Sequence, residues 1–236
     1  MPELPEVEVV KRSLKKKISD LIIKKVIINT DKLRYPLEKK VFRKILNKRI
    51  LSIQRRSKYL FINLTSNLTI LVHLGMTGKF IILDGSKKYR TSFYYQLNSK
   101  DEKHNHVCFF FNKNIKLVYN DVRKFGFIEI LLTENLNTNR HIKLLGPEPL
   151  SKKFDYKYFK NFVNKKNRKI KDVLMDQKFV SGLGNIYVNE ILFSSKLNPN
   201  LQVKKLSLIK IKKILSFTKK ILKKSIKKGG SSIKDF

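Results

Sequence analysis

The chain's 236 residues can form one large domain or two modest ones, each with a core. Its 42% hydrophobic content, with no apolar run near the ~20 residues of a membrane span, reads as a soluble protein. Lys and Arg outnumber Asp and Glu by 53 to 18, a net +35, which excludes basic partners and makes nucleic acid the leading one, although part of this charge is solvated surface. No basic and apolar secretory signal opens the chain, so a cytoplasmic, nucleoid-associated protein is expected. One cysteine and four histidines are too few for a Cys/His zinc site. Cys108 lies in the apolar run 107–111 and reads as a buried strand residue.

Val7, Val10, Leu14 and Ile18 recur at helical spacing behind Pro5, which predicts a helix over about 5–18 with Glu6 and Glu8 at its positive end. Eight β-rich runs follow, at 21–29, 50–56, 59–64, 68–73, 79–83, 107–112, 115–119 and 125–132. They predict a sandwich or barrel, with the polar stretch from Gly85 to Asn105, including Lys87, Lys88, Tyr89 and Arg90, as a long hairpin or surface loop. Gly146-Pro147-Glu148-Pro149 can continue neither a helix nor a central strand and marks a joint. Helical spacing returns at 154–163, 169–175, 186–193 and 206–226, the last with lysines outward. The expected fold is α+β: an amino-terminal sandwich at 1–132, a linker at 133–150 and a helical domain at 151–236.

Removal of the initiator Met would expose Pro2 as a secondary α-amine of pKa near ~8, partly unprotonated at neutral pH. Such an amine can attack C1′ of a deoxyribose. Once the base leaves, the adduct opens to an iminium, an electron sink that acidifies C2′–H and lets the 3′ phosphate leave by β-elimination. Glu3 stands next in the chain as a candidate general acid.

The string Pro2-Glu3-Leu4-Pro5-Glu6-Val7-Glu8 closely resembles the opening of formamidopyrimidine-DNA glycosylases, which excise 8-oxoguanine and ring-opened purines. The resemblance continues in order through Gln54-Arg55-Arg56-Ser57-Lys58-Tyr59-Leu60, where it implies Lys58 as proton donor for β-elimination. His73-Leu74-Gly75-Met76-Thr77-Gly78 is similar to the family loop whose methionine enters the duplex. Asn120-Asp121-Val122-Arg123-Lys124-Phe125-Gly126 looks like its companion, with Arg123 facing the orphaned cytosine and Phe125 wedging beside it, although Val122 and Lys124 replace the commoner proline and arginine. Met76, Arg123 and Phe125 are thus implied to fill the vacated stack.

Lys103-His104-Asn105-His106 resembles a short basic loop, implying a phosphate contact for His104 and a structural role for His106. Leu144-Leu145-Gly146-Pro147-Glu148-Pro149-Leu150 matches the family's joint. Residues 170–177 followed by Gly182-Leu183-Gly184-Asn185-Ile186-Tyr187 resemble its helix–two-turn–helix motif, in which Lys171 and Asn185 hold phosphates and Lys166 adds a contact. Here Gly182 and Gly184 are expected to turn the backbone so that amides at the next helix start face a phosphate. The likeness runs on through Gly229, Gly230 and residues 231–236, where the chain stops. Family members normally continue into a β-hairpin zinc finger, for which this sequence has no residues; no metal or cofactor is expected.

The expectation is a monomeric base-excision enzyme acting on double-stranded DNA that carries oxidised bases or abasic sites. Three rivals exist: a related oxidised-pyrimidine glycosylase, which typically has glycine where Leu4 stands, a noncatalytic damaged-DNA-binding homologue, and a basic RNA-binding protein.

Overall fold

A helix, α1 (Leu4–Ile18), opens the computed structural model, which describes residues 2–85, 87–91, 99–164 and 166–230. Pro5 fits its first turn, and the Glu6 carboxylate reaches back to accept from the Glu3 amide at 2.9 Å, satisfying a donor the helix leaves orphaned. Leu4, Val7, Val10, Leu14 and Ile18 form its fully buried stripe.

The strands are β1 (Ile23–Ile28), β2 (Ile50–Arg56), β3 (Tyr59–Leu64), β4 (Leu68–His73), β5 (Lys79–Asp84), β6 (Lys87–Arg90), β7 (Asn105–Phe111), β8 (Ile115–Asn120) and β9 (Phe127–Leu132). They pair antiparallel in two sheets, ordered β1-β7-β8-β5-β6 and β2-β3-β4-β9. The main core lies between the sheets and under α1. β3 and β4 are nearly continuous apolar runs because their other face is covered too, by a second cluster that joins Phe61, Leu71 and Phe127 to Ile142 of the linker. Cys108 is buried on β7 with Ile81 and Val118, in the strand position expected of it.

Three features differ from the sequence expectation. The polar hairpin contributes a ninth described strand: Lys87–Arg90 pairs with β5 at the sheet edge, where apolar alternation is not required. A five-residue helix, α2 (Lys39–Arg43), lies between β1 and β2, too short for periodicity to reveal and held by buried Phe42. The last strand starts at Phe127 rather than Phe125, leaving Phe125 in a loop and 46% exposed. Residues 92–98 of the expected loop and 231–236 of the resemblance lie outside the described residues.

Beyond the linker come α3 (Tyr156–Val163), α4 (Ile170–Met175), α5 (Asn185–Ser194) and α6 (Leu208–Lys228). Asp155 and Ser207 cap α3 and α6 by accepting from amides three residues on. These helices share a separate core around Phe154, Phe159, Phe179, Ile191 and Leu222. No described helix is long and apolar enough to cross a membrane. α1 packs on both β2 and α6, and the Leu4 amide donates to the Gly182 carbonyl at 3.0 Å, so the amino terminus sits at the seam between the two cores.

Candidate active site

Pro2 is buried at the head of α1, and Glu3 beside it is 2% exposed. The Glu3 carboxylate accepts from the amides of Gly184 at 2.6 Å, Ile186 at 3.0 Å and Tyr187 at 3.4 Å, the positive end of α5. The amides expected to face a phosphate are therefore already engaged by a carboxylate of the other half of the molecule. Gly184 also has a different reason from the one expected of it. Its φ of −139° is ordinary extended backbone, but a Cβ there would collide with the Glu3 carboxyl and approach the Lys58 Nζ to 2.8 Å. Gly182 does turn the chain, at φ +94°, and has no room for a side chain beside Leu4.

Lys58 thus lies with Glu3 around one glycine, itself only 7% exposed. Burial pushes the Glu3 carboxyl above its usual range, against the opposing pull of Lys58 and the α5 amides. Burial likewise holds the Lys58 ammonium below the ordinary lysine range, opposed by Glu3 and Glu6. A carboxyl that keeps its proton longer and an amine that loses it sooner are both better placed to exchange protons with a substrate.

The Lys58 turn joins β2 to β3, with Ser57 in the left-handed region at φ 56°. Arg55 anchors it by a bidentate pair to Glu148, at 3.1 and 2.8 Å, and by its Nε to Glu8 at 3.0 Å. The Ser57 amide donates to Glu148 at 2.6 Å, and Arg56 donates to the Leu145 and Gly146 carbonyls. Glu148, which the sequence showed only as part of a helix-breaking joint, is the hub that holds the turn against the linker. Its partners lie more than 90 residues away, so no local pattern marks it.

A cavity of about 380 Å³ opens beside Lys58, lined also by His73, Arg140, His141, Gln177 and Lys178. None of its lining residues is a carboxylate, which suits an anion. Burial and the cations around it hold His73 down at about 4, so its ring is neutral at physiological pH. Its Nδ1 accepts from the Gly75 amide at 3.1 Å, which leaves the ring proton on Nε2.

Met76, Arg123 and Phe125 form a second cluster. The Arg123 guanidinium lies 4.5 Å from the Phe125 ring centre and donates to the Met76 sulfur at 3.2 Å; Met76 is 39% exposed. Buried Asp121 clasps their two loops, accepting from the Thr77 hydroxyl at 2.5 Å and the Gly126 amide at 2.8 Å, while the Arg123 amide donates to the same hydroxyl.

The remaining expected contacts are dispersed. His104 is half-buried; neighbouring His106 is buried, its Nε2 against the Asp121 carbonyl at 2.8 Å. Lys166 lies 3.4 Å over the Phe162 ring, Lys171 is half-buried on α4, and Asn185 is exposed as the first residue of α5. No described group of three or more His, Cys, Asp and Glu side chains could hold a metal ion.

Residues 1–128 match the family described as Formamidopyrimidine-DNA glycosylase N-terminal domain, and residues 145–236 match Formamidopyrimidine-DNA glycosylase H2TH domain. The formamidopyrimidine-DNA glycosylase of Rickettsia bellii is 40% identical over 236 residues, all of this chain and 82% of the relative. That of Roseobacter denitrificans is 36% identical over 237 residues, with the same coverage. The Lactococcus lactis Fpg complex with DNA containing an N7-benzyl-Fapy-dG superposes with a TM-score of 0.86 at 34% identity, covering 98% of this chain and 81% of that one. The Lactococcus lactis Fpg complex with abasic-site DNA gives 0.85 at 34%, covering 98% and 82%. The chain belongs to the formamidopyrimidine-DNA glycosylase family.

Proposed function

We propose that Pro2, Glu3 and Lys58 carry out base excision and strand cutting from a single covalent intermediate. The protein is a DNA glycosylase with abasic-site lyase activity, acting in base-excision repair of oxidised purines. Freed of Met1, the Pro2 nitrogen attacks C1′, the N-glycosidic bond breaks, and Glu3 delivers a proton to the departing base or the sugar oxygen. The opened iminium then loses its C2′ proton to water as the C3′–O bond breaks, and Lys58 protonates the phosphate oxygen as it leaves. Hydrolysis of the iminium frees the enzyme. The iminium is its own electron sink, so the scheme requires no metal or cofactor.

One observation carries the reading: a buried carboxyl and a buried ammonium, displaced toward each other's protonation range, flank Gly184 beside the head of the chain. We further take the partner to be double-stranded DNA lying in the cleft between residues 1–132 and 151–236, and the acting species to be a monomer at the nucleoid. Met76, Arg123 and Phe125 fill the stack after the damaged nucleotide swings out, while His104, Lys166, Lys171 and Asn185 contact the backbone. Borohydride trapping on an 8-oxoguanine duplex tests the chemistry. A covalent adduct that disappears in Pro2→Gly is expected; correctly processed protein that leaves the duplex uncut and unlinked overturns it.

A further inference from the structure

We infer that Gln177 is a positioning residue for both reacting groups, locking the loop that cradles Glu3 to the turn that carries Lys58. The inference rests on the roles proposed above for Glu3 and Lys58. Gln177 lies just beyond α4, where the chain from 176 to 184 has no regular helix or strand to satisfy its backbone. Its Nε2 donates to the Leu183 carbonyl at 2.7 Å and to the Met175 carbonyl at 3.0 Å. Its Oε1 accepts from the Gly182 amide at 2.8 Å and, at a longer 3.4 Å, from the Ser57 hydroxyl.

The two strongest of these bonds fall on Gly182 and Leu183, the residues immediately before the amide that binds Glu3 at 2.6 Å. The longest falls on the residue immediately before Lys58. One neutral side chain therefore bridges the Glu3 cradle and the Lys58 turn, beside the Arg56 guanidinium that donates to the Ser181 hydroxyl at 3.2 Å, and Gly184, packed against both groups, transmits any shift to them. Displacements of about 1 Å at such a distance cost up to ~10²-fold in rate. Gln177 also lines the cavity beside Lys58 but bears no charge, so it adds nothing to the attraction of DNA phosphates.

The test uses the full chain in three forms: wild type, Gln177→Met, which keeps the volume and loses every hydrogen bond, and Gln177→Glu, which keeps the Oε1 acceptor. Single-turnover excision of 8-oxoguanine is followed from about pH 6 to pH 9, alongside affinity for a duplex bearing an uncleavable abasic analogue and thermal midpoint. Gln177→Met is expected to lose about tenfold or more in excision rate and to shift its pH profile, with affinity held within roughly threefold; Gln177→Glu, which sets a carboxylate oxygen against the Leu183 and Met175 carbonyls, is expected to lose at least as much. Wild-type rate and profile in Gln177→Met overturn the inference. So does a rate loss matched by equal loss of affinity and thermal midpoint, or a Gln177→Glu variant that keeps the wild-type rate. The wild-type borohydride adduct reports separately on Pro2: its absence removes the underlying reading, whereas an intact adduct with unchanged Gln177→Met kinetics removes this inference alone.

Discussion

The seam around Glu3 and the loops bearing Met76, Arg123 and Phe125 are built on opposite plans. At the seam, charged groups are buried and fixed by backbone amides and bidentate ion pairs, with Glu3 2% and Lys58 7% exposed. In the loops, the backbone is clasped by Asp121 while the tips stand in solvent, Met76 at 39% and Phe125 at 46%. Buried charges need every partner, so the seam is preorganised before DNA arrives; the apolar tips are stable only against something they have yet to meet.

Substitutions can break this contrast or sharpen it. The largest effect is expected at Glu3: Glu3→Gln keeps an acceptor for the α5 amides but has no proton to give, and excision of 8-oxoguanine should fall roughly 10³-fold. Cutting of a preformed abasic duplex by the same variant should fall less than about tenfold, because no base remains to be expelled. Equal losses on the two substrates would move Glu3 from acid to scaffold. Because burial raises the Glu3 carboxyl, its acid role is present below that raised pKa and is lost as pH climbs through it; in Glu3→Gln the residual rate should lack that alkaline decline.

Glu148→Ala comes next. It removes the bidentate partner of Arg55, leaving Glu8, and strands the Ser57 amide, at an expected cost of about 3 kcal/mol of stability measured by denaturant unfolding, with excision falling alongside. At the loops, Arg123→Ala and Phe125→Ala should leave unfolding within about 0.5 kcal/mol of wild type. Each should nevertheless weaken binding to lesion duplexes by about tenfold, since one stacking contact is worth ~1–3 kcal/mol. A loop variant that unfolds as readily as Glu148→Ala would erase the distinction between the two regions.

A further effect, confined to acid pH, concerns His73. Its folded pKa is lowered to about 4 from 6.5, so below pH 6.5 the unfolded chain binds the proton first and the folded state loses stability as pH falls toward 4. Thermal midpoints of His73→Gln should decline less over that window than those of wild type.

What the sequence revealed follows the range of the forces involved. β2, β3 and β4 were legible to the residue because alternating or continuous apolar runs end at turns such as 57–58 and 65–67. α2 and β6 were not, the first being held by one buried phenylalanine and the second by pairing with β5 and one partly buried tyrosine, Tyr89. At the site, Pro2 and Glu3 were raised by the chemistry of a terminal secondary amine and strengthened by likeness to a family, whereas Lys58 came from that likeness alone, since no local pattern separates it from 52 other basic residues, the 53 in the chain less one. Glu148 and Gln177 escaped notice because what they do depends on partners that only the fold brings near. The amides at the start of α5 were read as facing a phosphate for the same reason: nothing in a Gly-x-Gly pattern announces that a carboxylate 181 residues before Gly184 has taken the phosphate's place.

The grip of α5 on Glu3 has a consequence for recombination. Exchanging helical halves between family members would replace the ligand shell of the proposed catalytic acid even if every side chain of that acid's own half were untouched. Functional chimeras are therefore expected to follow crossovers that inherit the segment around Gly182–Gly184 together with the amino-terminal helix, and libraries cut elsewhere should yield folded proteins with displaced pH optima.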